Sequence, residues 1–307
     1  MTIFVSIAAY LEPQLEFTLD EVFCKAEQPK NVIVGLIDQS KLDNRSWLSK
    51  KSYWSQIRYI QINPIDSRGV SWARSLASTL YEGEDYFLQI DSHTCFSTHW
   101  DTLLIQQLAE LLRQSSHPII TTYPPGFEFD EQNKPRPTYH SSHCVLVMRP
   151  VPHSKLTETS ATLMFQVEAV HEAEFIEGFH VGGGFIFTLG RFVEAVPYDP
   201  YMYFHGEEQN LALRAYTHGW TIFHPLDDKI PIFHLYKPAA EESVNLHWDP
   251  STDSERQIKW IEHHRRSEAR LISLIRGEIA APYGLGTSRT LEEFVAFSKI
   301  DYGRYRL

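Results

Sequence analysis

The chain has 307 residues, 43% apolar and 22% charged, without long Gly/Ser, Gln/Asn or Pro tracts. That suits one large α/β domain with a smaller appendage and argues against a disordered chain. The 28 Lys and Arg against 39 Asp and Glu give a net charge of −11, which argues against a broad DNA- or RNA-binding footprint. Cys24, Cys95 and Cys144 form no CxxC pair, so neither a disulfide framework nor a cysteine zinc site is supported, and the three read as buried reduced thiols.

The apolar run Ile3 to Ala9 lacks a basic leader and breaks at Glu12-Pro13, so it reads as a strand and not a signal peptide. No stretch approaches the ~20 apolar residues of a membrane span, and the expectation is a cytoplasmic protein. Leu15, Leu19, Val22, Phe23 and Ala26 recur at helical spacing. The continuous apolar run Val32–Ile37 then reads as a strand buried on both faces, and Ile57–Ile62 as a third strand. A helix is predicted over Gly69–Tyr81 with Val70, Ala73 and Ala77 inward, followed by a strand over Tyr86–Ile90 that runs into Asp91. Thr98 and Asp101 stand at capping-box spacing before a stripe of Trp100, Leu103, Leu104, Leu108, Leu111 and Leu112. Pro118 ends that helix and Ile119–Tyr123 resumes a strand.

Such alternation predicts a mostly parallel sheet flanked by helices, with ligands beyond the carboxyl ends of the strands, where Asp91 lies. Residues Pro124–Arg149 are rich in Pro, His and Ser and read as loops, with shorter strands at Val145–Met148 and Met164–Val167. A helix over Glu207–Thr217, ended by Gly219, precedes a strand at Trp220–Phe223. From about Pro238 the character changes: Ser254 with Gln257 starts a long amphipathic helix carrying Ile258, Ile261, Leu271, Ile272 and Ile275, and Gly277 stops it.

Asp91 and His93 stand two apart at a strand end, and on an extended backbone they face the same way. One oxygen and one nitrogen donor suit an open site for Mn²⁺ or Mg²⁺, with a diphosphate supplying further oxygens. On spacing alone, an Asp capping the next helix beside a surface His is the favoured alternative.

Leu88-Gln89-Ile90-Asp91-Ser92-His93 resembles the metal-binding motif of the N-acetylglucosaminyltransferases that modify hydroxyproline on the ubiquitin-ligase adaptor Skp1. It is also similar to the Asp-Ser-His motif of the polypeptide N-acetylgalactosaminyltransferases. The resemblance implies that Asp91 and His93 bind the metal and that a distant histidine completes the set; His234 in Pro231–Tyr236 matches best, a packed histidine at a strand end being the alternative. It further implies that Ile3–Tyr10 with Glu12-Pro13 is the opening strand and nucleotide-binding turn. Tyr10 would meet uracil and Asp38 face the base, unless Tyr10 packs in the core and Asp38 caps a turn. Arg68–Arg74 resembles the stretch that passes under the donor, where arginine and a helix amino terminus favour phosphate. Surface ion pairs are the alternative for both arginines.

Val181–Phe187 resembles the strand on which Gly183 and Gly184 approach the donor sugar. Phe204–Asn210 resembles the Gly-Glu-Asn turn of the acetylgalactosaminyl relatives, with Glu207 at their Glu and Glu208 departing from their Asn. Glu207 then orients sugar or acceptor, or serves as a base, although the helix dipole alone also favours acids there. Trp248 and Trp260 line an acceptor groove or, as the favoured reading, pack the long helix.

The resemblance covers residues 3–237. It implies a GT-A fold, with residues 1–237 as the catalytic domain (about 1–125 binding nucleotide, 126–237 binding acceptor) and 238–307 as a helical extension. It also implies a retaining transferase that moves GlcNAc from UDP-GlcNAc to a protein or glycan hydroxyl. Alternatives are UDP-Gal, UDP-Glc or UDP-GalNAc as donor, or a carbohydrate- or protein-binding module without turnover.

Overall fold

Long apolar runs set the centre of the molecule, which a computed structural model describes over residues 1–138, 143–171, 174–236 and 246–307. The first half alternates as expected: β1 (Ile3–Tyr10), α1 (Leu15–Lys25), β2 (Val32–Gln39), α2 (Arg45–Leu48), β3 (Ile57–Gln61), α3 (Val70–Ser78) and β4 (Tyr86–Ile90). The short β5 (Thr94–Phe96), α4 (Trp100–Leu111) and β6 (Pro118–Thr121) follow. The next elements are β7 (Gly126–Phe129), β8 (Pro135–Thr138), β9 (Val145–Pro150), β10 (Phe165–Val170), β11 (Phe175–Gly178) and β12 (Phe185–Leu189). The chain then runs through α5 (Phe192–Ala195), α6 (Glu207–Thr217), β13 (Thr221–Pro225), β14 (Ile232–His234), α7 (Pro250–Glu255), α8 (Trp260–Ile275) and α9 (Leu291–Ser298).

The main sheet has the order β11-β13-β6-β12-β4-β1-β2-β3. Its β3-β2-β1-β4 portion is parallel, and β12 enters antiparallel between β4 and β6. Phe4, Val5, Ile7, Val32, Val34 and Leu36 are fully buried, because helices cover both faces of these strands. The chain order reverses at β1, which pairs with β2 on one side and β4 on the other. A crevice opens beyond the carboxyl ends at such a reversal. Tyr10 leaves β1 and Asp91 leaves β4 into that crevice.

A second small sheet, β5-β14-β7-β8, sits beside it and brings His234 opposite Thr94. Two of its strands lie within Pro124–Arg149, which is therefore not the loop its composition suggests; Phe127 is 2% exposed and stacks on Phe17. Burial of one aromatic outweighs turn-like neighbours.

The amino end of α4 also differs from expectation. His99, in the left-handed region at φ 64°, precedes the helix without a side-chain cap. Asp101 instead accepts from the backbone N–H groups of Glu27 and Gln28, both at 2.8 Å. Leu103 and Leu112 are 40% exposed, so the buried stripe is Trp100, Leu104, Leu108 and Leu111.

Toward the carboxyl end, Asp249 caps a separate short helix, α7, by accepting from Ser251 N–H. The long helix begins only at Trp260, which leaves Ile258 and Ile261 38% exposed. Thr290 and Glu293 form a reciprocal capping box on α9, a helix the periodicity does not suggest. Leu271, Leu274 and Phe294 pack on Leu213 and Tyr216 of α6, each buried leucine contributing about 1.5–3 kcal/mol. The expected boundary at residues 237 and 238 lies outside the described residues. Cys95 and Cys144 are buried, but Cys24 is exposed. Among the described residues no helix is long and apolar enough to cross a membrane.

Candidate active site

Asp91, His93 and His234 converge, with one ligand atom from each lying within 4.8 Å of the others. The turn after β4 is pinned from α1: the Thr18 hydroxyl donates to Ser92 C=O at 2.9 Å and accepts from Thr94 N–H at 2.9 Å. Leu235 N–H donates to His93 C=O at 3.0 Å, which sets β14 beside this turn. Asp91 Oδ2 is 3.1 Å from His234 Nε2, and the Nε2 atoms of His93 and His234 are 2.9 Å apart. Two imidazole nitrogens that close repel through their lone pairs unless a proton or a cation lies between them. One carboxylate and two imidazoles therefore fit a divalent ion. Burial pushes the Asp91 carboxyl up, but the His234 hydrogen bond and the Arg74 charge outweigh it and hold Asp91 well below the usual carboxylate range.

Arg74, 4% exposed on α3, ties this cluster to a second carboxylate. Its Nη2 donates to Asp91 Oδ1 and to Gly183 C=O, both at 2.9 Å, and its Nη1 donates to Glu207 Oε1. Helix α3 can start where it does because Gly69 takes φ 103°; a Cβ there would meet Tyr203 at 2.4 Å. Glu207 opens α6, and its buried Oε2 has no hydrogen-bond partner among the described residues. Burial pushes its pKa up to about 7, against the pull of Arg74 and with the push of Glu208 and Asp91.

The three glycines before β12 leave room for side chains. A Cβ on Gly183 would lie 2.5 Å from Arg74 Nη1, and one on Gly184 would lie 2.9 Å from Asp91 Oδ2. A Cβ on Gly182 would instead strike Thr122 C=O at 2.6 Å. Gly183 and Gly184 line a cavity of about 250 Å³ together with the polar Arg74, Asp91, Tyr123 and Glu208 and the apolar Leu163, Met164, Phe165 and Phe204. Glu208 also braces the wall, since it accepts from Gly183 N–H and from the Tyr123 hydroxyl, both at 2.6 Å. Burial raises its pKa, but His180, Tyr123 and Gly183 N–H bring it below the ordinary value.

Of the residues expected at the donor, Arg74, Gly183 and Gly184 line this cavity, whereas Tyr10, Asp38 and Arg68 do not. Tyr10 stacks on His247 at 4.0 Å, and Arg256 donates to its hydroxyl at 2.6 Å. Asp38 is 2% exposed and accepts from Asn44 at 2.9 Å and from the Tyr59 hydroxyl at 2.7 Å. Burial raises its pKa. Arg68 is exposed, its guanidinium 5.9 Å above the Trp72 ring. Trp248 and Trp260 pack against one another at 6.4 Å, and Trp248 also meets Phe204 at 5.1 Å.

Sequence reasoning misses Tyr123, Glu208 as a strut, and the His247–Arg256 pair. Their partners are remote along the chain, and no local spacing signals them. Glu12 reads in the sequence only as part of a turn.

The fold is that of the GT-A glycosyltransferases. The sequence pattern of the glycosyltransferase (GlcNAc) family matches residues 2–56 and 47–304, and the chain belongs to that family. Among solved structures, the chain is similar to GalNAc-T7 with UDP, GalNAc and Mn²⁺, at TM-score 0.58 and 14% identity over 97% of this chain and 54% of that one. It thus spans about half the length of that relative. It is also similar to residues 1–349 of TarS from S. aureus, at TM-score 0.47 and 13% identity over 89% of this chain and 70% of that one. The comparison with curated proteins returns no match.

Proposed function

We propose that the chain transfers N-acetylglucosamine from UDP-GlcNAc to an acceptor hydroxyl, with Mn²⁺ or Mg²⁺ held by Asp91, His93 and His234. One observation carries the reading: the guanidinium of Arg74 joins Asp91, the carboxylate of the metal cluster, to Glu207 in the wall of the same cavity. The GlcNAc family assignment supports the choice of sugar. The GalNAc-T7 structure, which contains UDP and Mn²⁺, supports the donor and metal types.

In this reading Gly183 and Gly184 let the sugar ring approach backbone, and Arg74 holds Asp91, Glu207 and Gly183 C=O in register. Glu207 Oε2, which has no partner among the described residues, accepts from a sugar or acceptor hydroxyl and can take its proton. A bound divalent cation supplies Lewis-acid stabilisation of the charge that collects on the departing diphosphate. Tyr10, Asp38 and Arg68 are assigned to the nucleotide by the family resemblance. Residues 1–125 serve the nucleotide, 126–237 the acceptor, and 238–307 form the extension. Retention at the anomeric carbon and a protein hydroxyl such as hydroxyproline on Skp1, or a glycan hydroxyl, follow the family resemblance. A cytoplasmic location is consistent with three free cysteines.

UDP release with Mn²⁺ and each of UDP-GlcNAc, UDP-GalNAc, UDP-Glc and UDP-Gal tests the proposal. UDP-GlcNAc is expected to turn over fastest, and Asp91→Asn to abolish release while leaving the fold intact. Binding of donor without any UDP release would instead favour a binding module, and undiminished activity of Asp91→Asn would remove the assigned site.

A further inference from the structure

We infer that Glu12 is a positioning residue for the cation site, presetting His93 as a ligand through a carboxylate–imidazole hydrogen bond. The inference rests on the metal reading of Asp91, His93 and His234. Glu12 Oε2 lies 2.8 Å from His93 Nδ1, and the Glu12 side chain is 5% exposed. An ionised carboxylate only accepts, so the ring proton sits on Nδ1. That leaves the Nε2 lone pair facing Asp91 and His234.

The Glu12 carboxylate is itself held. Gln14 N–H donates to Oε1 at 2.9 Å. The preceding Leu11 takes φ 47°, a left-handed conformation that a leucine adopts only when its surroundings impose it. Leu11 N–H is fixed to Gln39 C=O at 3.0 Å. The turn between β1 and α1 therefore has a second role besides facing the nucleotide: it delivers a buried negative charge behind the metal ligand.

Such outer carboxylates fix the tautomer of a ligating histidine and raise its basicity. Among the described residues the other imidazole has no such support, since none of them hydrogen-bonds the buried His234 Nδ1. The two histidines are thus unequal: His93 is set in advance, whereas His234 Nε2 faces both Asp91 and His93.

The test uses the full chain with Mn²⁺ alone, followed by electron paramagnetic resonance and calorimetry, and long-range ¹H–¹⁵N spectra of the histidines without metal. The wild type is expected to show His93 protonated at Nδ1. Glu12→Ala should mix the tautomers and weaken Mn²⁺ binding roughly 10–100-fold. Glu12→Gln, which keeps an acceptor but loses the charge, should fall between and decides the matter if Glu12→Ala does not fold. A His93 tautomer and Mn²⁺ affinity unchanged in both variants would overturn the role of Glu12. A wild type that binds no Mn²⁺ while its tautomer still depends on Glu12 would overturn the metal reading instead.

Discussion

Arg74 and Glu207 form an ion pair in which both side chains are only 5% exposed, although they lie on helices far apart in sequence. The same guanidinium reaches Asp91, so one cation balances two carboxylates that would otherwise repel.

Removing that cation should cost more than removing either acid. Arg74→Ala leaves the buried Glu207 carboxylate uncompensated and takes one partner from Asp91, and it is expected to destabilise the fold by about 3–5 kcal/mol, read from urea unfolding. Glu207→Gln keeps the volume and leaves Arg74 bonded to Asp91 and Gly183, so its unfolding midpoint should move far less. Its transfer rate should drop about 10²–10⁴-fold. An Arg74→Ala protein that unfolds with the wild type would contradict the pairing.

The glycines separate site effects from fold effects. Gly184→Ala sets a methyl 2.9 Å from Asp91 Oδ2, and the carboxylate must turn aside. Mn²⁺ affinity should fall while thermal stability changes little. Gly182→Ala meets the Thr122 backbone at 2.6 Å, which cannot yield, and overpacking of this kind costs about 1–3 kcal/mol. Differential scanning calorimetry and Mn²⁺ titration on both variants check the split.

Acid should unfold the protein through two histidines remote from the metal cluster. Burial lowers His224 from the ordinary 6.5 to about 4, while Thr121 C=O accepting from it raises it in part. Burial, then Arg256 and His263, lowers His247 to about 3. Both are neutral when folded, so the unfolded chain binds more protons below pH 6.5. Stability is therefore fully present above that pH and is lost as pH falls toward 4 and then 3. The His224 shift alone corresponds to about 3 kcal/mol. His224→Asn, which can still donate to Thr121 C=O, should show a shallower fall of melting temperature across that window.

Arg256 should act as the fastener of the carboxyl-terminal segment. It is 3% exposed and donates to the Tyr10 hydroxyl, Pro64 C=O and His247 C=O. Arg256→Ala strands those acceptors, at about 1–3 kcal/mol for each buried group left unpaired. Limited proteolysis should then cut near α7 well before the core. Protection equal to wild type would show that the segment is held by other contacts.

From sequence, the strands of the parallel half of the sheet are readable to within two residues at their ends, because strands buried on both faces are continuously apolar, as Val32–Ile37 is. Asp91 is placed at a strand end by the same pattern, but spacing alone favours a helix-capping Asp there, and only the family resemblance marks it as a candidate ligand. The ends of helices are less readable. Asp101 has the spacing of a capping-box partner, yet a nearer pair of free N–H groups, on Glu27 and Gln28, wins its carboxylate. What only the tertiary structure decided are pairings between residues distant in the chain: Arg74 with Glu207, Glu12 with His93, and Tyr10 with His247 and Arg256. Periodicity reports which face of an element is buried, but not which buried charge meets which. Burial makes those meetings compulsory, since an unpaired charge in the interior costs more than the fold can spare.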